Sequence, residues 1–343
     1  MLYVTTRSEQ EVFAAQRVLR ESRGSDGGIF VPFRDPSISA ERLAELSSMR
    51  FSDCVAEVLN LLFDTRLTGW DVDFCAGRHG IRLRQLNQRI LLGECWHNTQ
   101  GLFSDTVLHL THQLADIGST GIPGPWAAIG VRIAVLVGIY AELCRSSMAS
   151  PQQPFDVSVV SGDFSAPISC WYARKWGLPI GNIICCCNEN GDIWNLFSHA
   201  QLRTDSVAHR TDIPEADVTV PEHLEQLIYA VGGTDSVAEY LQTLRLGKTY
   251  YLDDRTFSEL HRGMYVTVVG RQRMSDTIIS FFGTNRCVLS PYAALACAGL
   301  QDYRSRTGES RFGLVLSERS PMCDAGVAAE ALGIEVEMLK KYV

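Results

Sequence analysis

The chain has 343 residues, 46% of them hydrophobic and 20% charged, with a formal net charge of −8. This composition belongs to a folded globular protein rather than a disordered or repetitive one, and at this length it buries a large core in one big unit or two domains. The acid excess argues against a nucleic-acid backbone or an anionic membrane as the main partner.

The opening "MLYVTTRSEQEVFAAQRVL" has no continuous apolar core behind a basic start, so it does not read as a signal peptide. Eleven cysteines without a CxxC pair, three of them adjacent at Cys185, Cys186 and Cys187, read as reduced thiols and suggest the cytoplasm. "EVFAAQRVLRES" and "ISAERLAELSSMRFSDCVAEVLNLLF" place apolar residues at helical spacing around an Asp26-Gly27-Gly28 turn, which predicts a mostly helical start. In "ECWHNTQGLFSDTVLHL" (94–110) an aromatic and a histidine lead into a loop and then a helix predicted over 105–113. Ser104 suits its N-cap and Asp105 its first turn.

"ADIGSTGIPGPW" (115–126), rich in Gly and Pro, is a connection. "WAAIGVRIAVLVGIYAELCR" (126–145) carries Arg132 and Glu142, and its unbroken apolar run is too short to span a bilayer, so it reads as a buried helix. "FDVSVVSGDFSAPISCWYARKWGLPIGNIICCCNEN" (155–190) is a βαβ pattern, with Ser165 as N-cap, Pro167 in the first turn, and Gly177 and Pro179 as stop signals. Strands buried on both faces explain why "IICCC" is apolar at every position. Apolar runs at 264–270, 277–283 and 312–317, separated by helical stretches such as 290–304 and 325–340, complete an α/β class. The expected division is a mostly helical subdomain over 1–90, a short segment over 91–125 and a large α/β domain over 126–343.

Other constellations are weaker. His109 and His112, three apart on a predicted helix near Cys95 and His97, have a spacing that suits a transition metal, but a solvated helix face explains them and no metal is expected. Ser104 with His97 or His109 and Asp105 lacks the Gly-x-Ser-x-Gly elbow of a hydrolase. Only four lysines, Lys175, Lys248, Lys340 and Lys341, stand against twenty-seven arginines.

Read together, five segments resemble threonine synthase in the family's order. "MLYVTTRSEQEVFAAQRVLRESRGSDGGIFVP" is similar to the family's opening. The 94–110 stretch resembles its lysine segment, matched at Glu94, Trp96, His97, Thr99, Phe103 and Asp105. "VVSGDFSAPISCWYARKWGLPIGNIICCCNEN", "RCVLSPYAALACAGL" and "GLVLSERSPM" are similar to later segments. The resemblance implies a fold-type II pyridoxal-phosphate enzyme, tryptophan synthase β-like, with a parallel sheet flanked by helices in its large domain. Here the small cofactor-side domain is expected to be strongly reduced, because 104–125 runs almost directly into the helix at 126.

The family's imine-forming lysine lies between Phe and Asp, and here that tripeptide is Phe103-Ser104-Asp105. A serine hydroxyl forms no stable imine. The implied phosphate loop is Gly162, Asp163, Phe164 and Ser165, where Asp163 and Ser165 replace the family's Asn and second Gly. Ser317 stands at the late segment, followed by Glu318 and Arg319 where the family has a small hydroxyl residue. His97, Thr99, Phe103 and Asp105 are the other implied cleft residues.

These departures lead to the expectation of a threonine synthase-like protein that has lost pyridoxal-phosphate catalysis, holds no cofactor and acts as a binding, regulatory or interaction protein. Its expected partners are a small anionic ligand or a protein, with a homodimer as the simplest cover for any surface the reduced domain leaves bare. The alternative is an active lyase that uses pyridoxal phosphate and a lysine from elsewhere, such as Lys175 or Lys248, to convert O-phosphohomoserine to threonine.

Overall fold

The computed structural model describes residues 1–76, 81–96, 103–115 and 124–343. The chain opens with strands β1 (Leu2–Thr5) and β2 (Ser8–Ala14), helix α1 (Ala15–Arg20), strand β3 (Phe30–Pro32) and helices α2 (Ala40–Leu46), α3 (Phe51–Phe63) and α4 (Gly69–Ala76). Strands β4 (Arg82–Asn87) and β5 (Ile90–Glu94) follow, then α5 (Phe103–Ala115), α6 (Pro125–Arg145), β6 (Phe155–Val160), α7 (Ser165–Lys175) and β7 (Ile180–Cys187). After them come α8 (Asp192–His199), β8 (Gln201–Arg203), α9 (Leu224–Arg245), β9 (Thr249–Tyr251), α10 (Asp254–His261) and β10 (Met264–Val268). The chain finishes with α11 (Arg271–Asn285), α12 (Pro291–Thr307), β11 (Gly313–Ser317), α13 (Ala325–Leu332) and α14 (Val336–Leu339).

Six strands form the main sheet in the order β10-β7-β6-β11-β5-β4. All neighbours are parallel except β4, which pairs antiparallel with β5 at the edge. Helices cover both faces, which is what a parallel sheet requires. The strand alternation divides the core: Ile183, Cys185 and Cys187 of β7 pack on the α6 and α7 side, Ile184 and Cys186 on the α12 side. The eleven cysteines are all free thiols, most of them buried.

Among the described residues no second sheet has more than three strands; β1 lies between β2 and β3, and β8 pairs with β9. Strand β5 (Ile90–Glu94) begins at the expected boundary at 90 and pairs antiparallel with β4 before it and in parallel with β11. The N-terminal part is also less helical than expected. Residues 8–14 form a strand because they pair with β1, and the helix that follows is only six residues long.

Two later expectations are corrected. The run 277–283 is not a strand but part of α11, in which Met274, Thr277, Ile278 and Phe281 are buried at helical spacing while Ile279 is exposed; a short apolar run does not by itself separate the two states. The helix expected over 325–340 breaks into α13 and α14 at Gly333, whose φ of +63° ends the first helix.

Helix α6 is long and apolar enough to cross a membrane by composition, yet most of it is buried within the protein, packed against α3, α5 and α7. Its apolar surface is therefore largely covered by its own chain. The N-terminal segment is pinned to α7 by Trp176, whose indole N–H donates to Asp35 (2.9 Å), and by Lys175 on the same carboxylate (2.8 Å).

Close approach of α12 to the sheet depends on Gly299, where a Cβ would overlap Cys186 Sγ and stand 3.1 Å from Thr267 Cγ2. Gly299→Ala is accordingly expected to destabilise by about 1–3 kcal/mol through overpacking. In a denaturant titration, adding Cys186→Ala should recover part of that loss; no loss at all would mean α12 can shift outward freely.

Candidate functional site

Ligands in open α/β sheets gather beyond the carboxyl ends of the strands, and here a cleft of about 350 Å³ opens there. It is lined by the loop after β6, the middle of α6, the start of α12 and the residues that follow β11. The loop turns from β6 into α7 through Gly162 (φ +44°) and Phe164 (φ +73°). A side chain at Gly162 would crowd the Glu215 carbonyl, 3.3 Å from the Cβ position, as well as straining the backbone.

Ser165 is the first residue of α7 rather than its N-cap; the cap is Phe164, whose side chain is fully buried. The Ser165 N–H donates instead to the Asp163 carboxylate (2.8 Å), and the Phe164 N–H to the Ser161 carbonyl (2.7 Å). Asp163 thus satisfies the loop from within, because a carboxylate at a helix start accepts backbone N–H groups well.

Three acidic and two basic side chains line the cleft. Arg132, the one basic residue in the apolar run of α6, forms an ion pair with Glu318, with both side chains mostly buried. Its guanidinium also lies over the Phe103 ring, 5.1 Å from the centroid. Arg319 is held by Asp324 (3.1 Å) and Glu215 (2.7 Å). Glu215 is delivered by a loop pinned through Asn188 and Asn190, which both donate to Asp217 (2.7 and 3.0 Å), while Asn190 also exchanges hydrogen bonds with the His209 backbone.

Asp163 faces buried His223, whose Nε2 lies 3.9 Å from the carboxylate while its Nδ1 is 2.7 Å from the Gln226 side-chain oxygen. Burial works to raise the Asp163 pKa, but the charges of His223 and Arg132 and the Ser165 N–H outweigh it and hold the carboxyl below its usual range. Tyr292, only 8% exposed, brings its hydroxyl to 3.8 Å from a Cβ position on Gly162. Among the described residues this hydroxyl has no hydrogen-bond partner. Burial, and then the nearby Glu318 charge, push its pKa well up, so it is a protonated donor at neutral pH.

The structure brings together Gly162, Asp163 and Ser165 of the expected site and places Phe103 against Arg132, with the Phe103 N–H donating to the Glu318 carbonyl (2.8 Å). Ser317 is buried at the end of β11 and accepts from the Trp96 indole (3.2 Å). Helix α5 begins at Phe103, so Ser104 lies inside its first turn rather than at the N-cap, and Asp105 is half-buried on that helix, outside the cleft lining. His97 and Thr99 lie outside the described residues. Arg132, Glu215, His223 and Tyr292 were not among the expected site residues; a lone charge in an apolar helix was the signal for Arg132, while the other three come from distant loops and helix starts.

None of the four lysines lines the cleft. Lys175 is held at the end of α7 by Asp35 and the Trp171 ring, and Lys248, Lys340 and Lys341 are exposed. Among the described residues no group of three His, Cys, Asp or Glu is placed to hold a metal ion.

Residues 2–75 match the family model described as threonine synthase N terminus. The chain is 23% identical over 181 residues to threonine synthase of Pseudomonas aeruginosa, covering 52% of this chain and 37% of that protein. It is 22% identical over 197 residues to human threonine synthase-like 1, covering 56% of this chain and 26% of that protein. The chain therefore spans little more than a third of these relatives' length at most. Among solved structures, pyridoxal-phosphate-bound threonine synthase from Brucella melitensis superposes with a TM-score of 0.86 at 16% identity, covering 98% of this chain and 92% of that one. The yeast threonine synthase structure gives a TM-score of 0.84 at 16% identity, with 99% and 93% covered. The chain thus has the fold-type II architecture of the threonine synthase structures, an N-terminal segment that matches the threonine synthase N-terminus model, and sequence similarity to threonine synthases and threonine synthase-like proteins.

Proposed function

We propose that this protein is a threonine synthase-like protein that carries out no pyridoxal-phosphate catalysis and uses its cleft to bind a small ligand, in a regulatory or interaction role in the cytoplasm. The observation that carries this reading is the make-up of the cleft, which no lysine lines. An imine to the cofactor needs an amine within bonding reach, and Ser104 stands at the position where the family resemblance implies one.

The described residues also do not fit the cofactor's phosphate. A dianion is normally cradled by free backbone N–H groups at a helix start; here Asp163 already takes the Ser165 N–H and adds a negative charge of its own. Both guanidiniums in the cleft are engaged by carboxylates. The same charges oppose a small anionic ligand in this cleft.

The test is to incubate the purified protein with pyridoxal phosphate, scan for the visible band of a lysine imine, and treat with borohydride before peptide mapping. Neither a band nor a trapped adduct is expected, and Ser104→Lys should not produce threonine from O-phosphohomoserine, since the acidic loop would remain. A trapped adduct on any lysine of the native chain, with threonine formed, would overturn this reading.

A further inference from the structure

We infer that the cleft between β6, α6 and α12 binds a small molecule carrying a primary ammonium group and a nearby hydrogen-bond acceptor, with Asp163 receiving the ammonium and the Tyr292 hydroxyl donating to the acceptor. This rests on the reading of the cleft as one that holds no pyridoxal phosphate.

Charge selects the sign of the ligand. Of the charged groups lining the cleft, Arg132 is matched by Glu318 and Arg319 by Glu215 and Asp324. Asp163 has no guanidinium or ammonium within ion-pair distance among the described residues; its second oxygen faces His223 Nε2 at 3.9 Å, too far for a hydrogen bond, and its side chain is 60% exposed. One of its oxygens is occupied by the Ser165 N–H, so the other remains to accept from a ligand. An anion would meet this excess of carboxylate, whereas an ammonium has three donors to spread over Asp163 and the neighbouring acidic groups.

Tyr292 supplies a second, independent indication. The residue is only 8% exposed and lines the cleft, and its hydroxyl, protonated at neutral pH and without a partner among the described residues, is a donor free for an acceptor on a ligand. Its oxygen lies beside Gly162, on the same loop as Asp163, so one short ligand reaches both. The volume of about 350 Å³ suits a metabolite-sized body. A bare divalent cation fits poorly, because two guanidiniums stand within the cleft and the described residues hold no three-ligand cluster.

The probe is ethanolamine, which carries an ammonium and a hydroxyl two carbons apart, titrated into the whole chain and followed by NMR shift perturbation, with inorganic phosphate and magnesium chloride as parallel titrants. Ethanolamine is expected to saturate in the millimolar range or below, with phosphate and magnesium not doing so. Asp163→Asn keeps an oxygen for the Ser165 N–H, and it should weaken binding about tenfold or more, the scale of one charge-assisted hydrogen bond. Tyr292→Phe should weaken it by a smaller factor, and thermal melts of both variants establish that they are folded. Ethanolamine failing to saturate, phosphate or magnesium binding in its place, or unchanged affinity in folded Asp163→Asn would each overturn the inference. Absence of ammonium binding with no cofactor imine would remove this inference and leave the proposed function standing, whereas a cofactor imine would remove that function first.

Discussion

Glu318→Ala is expected to lower stability by about 3–5 kcal/mol, because it strands the Arg132 guanidinium, a charge buried in the middle of α6, without its partner. Glu318 alone gives that guanidinium an ion pair among the described residues, and the Phe103 ring beneath it offers only a cation–π contact. Replacing both members, as Arg132→Met with Glu318→Leu, should recover most of the loss, since removing a buried pair together is often neutral or stabilising. Denaturant midpoints for the two single variants and the double variant form the cycle that decides this. A double-variant loss equal to the sum of the two single losses would mean that the residues act on stability independently rather than as a pair.

Trp126→Ala should cost a similar amount, about 3–5 kcal/mol. The ring is fully buried at the start of α6 and meets Tyr3, Tyr172 and Trp176 edge-on, with centroids 5.9, 5.2 and 6.4 Å away. These contacts join the first strand of the chain, the long apolar helix and the helix of the βαβ unit in one cluster. Truncation would leave a large cavity at the point where three separate segments meet, whereas Trp126→Phe keeps an aromatic plane there and should recover most of the loss. A thermal melt of both variants is the measurement, and a melting temperature for Trp126→Ala close to that of the parent would show that the cluster can collapse around the gap.

How far the sequence disclosed this structure depended on the range of the interactions involved. The βαβ unit was legible because its signals are local: a β-branched strand, a proline in the first helical turn, a glycine with positive φ at the stop, and a continuous apolar second strand. Strand β2 was not, because the residues from Glu11 to Ala14 are set by pairing with β1 and not by their own spacing. The 277–283 run failed for the opposite reason, since its spacing admits both a strand and a buried helix until a neighbouring sheet or helix decides.

The site divides in the same way. Gly162, Asp163 and Ser165 are consecutive, or nearly so, and could be read as a loop before a helix, although which residue caps that helix could not. His223, Glu215 and Tyr292 reach the cleft from three distant segments, and their roles appear only once β6, β11 and α12 are assembled. Arg132 sits between these cases: a solitary charge in an apolar helix marks itself out in the sequence, but its partner Glu318 lies on the far side of the chain.

The position of β11 has a consequence for how the molecule is made. This strand, one of the last elements, lies inside the main sheet between β6 and β5, pairing residues 313–317 with 90–94 and 313–315 with 156–158. A ribosome that has released everything up to α12 has therefore delivered a sheet whose two halves cannot yet meet, each presenting an open strand edge where β11 belongs. Closing contacts between such distant parts of a chain carries a high loop-closure cost and is slow, and unpaired parallel edges invite association while they wait. The interval before β11 emerges is thus when this chain depends most on whatever in the cell shields nascent strands.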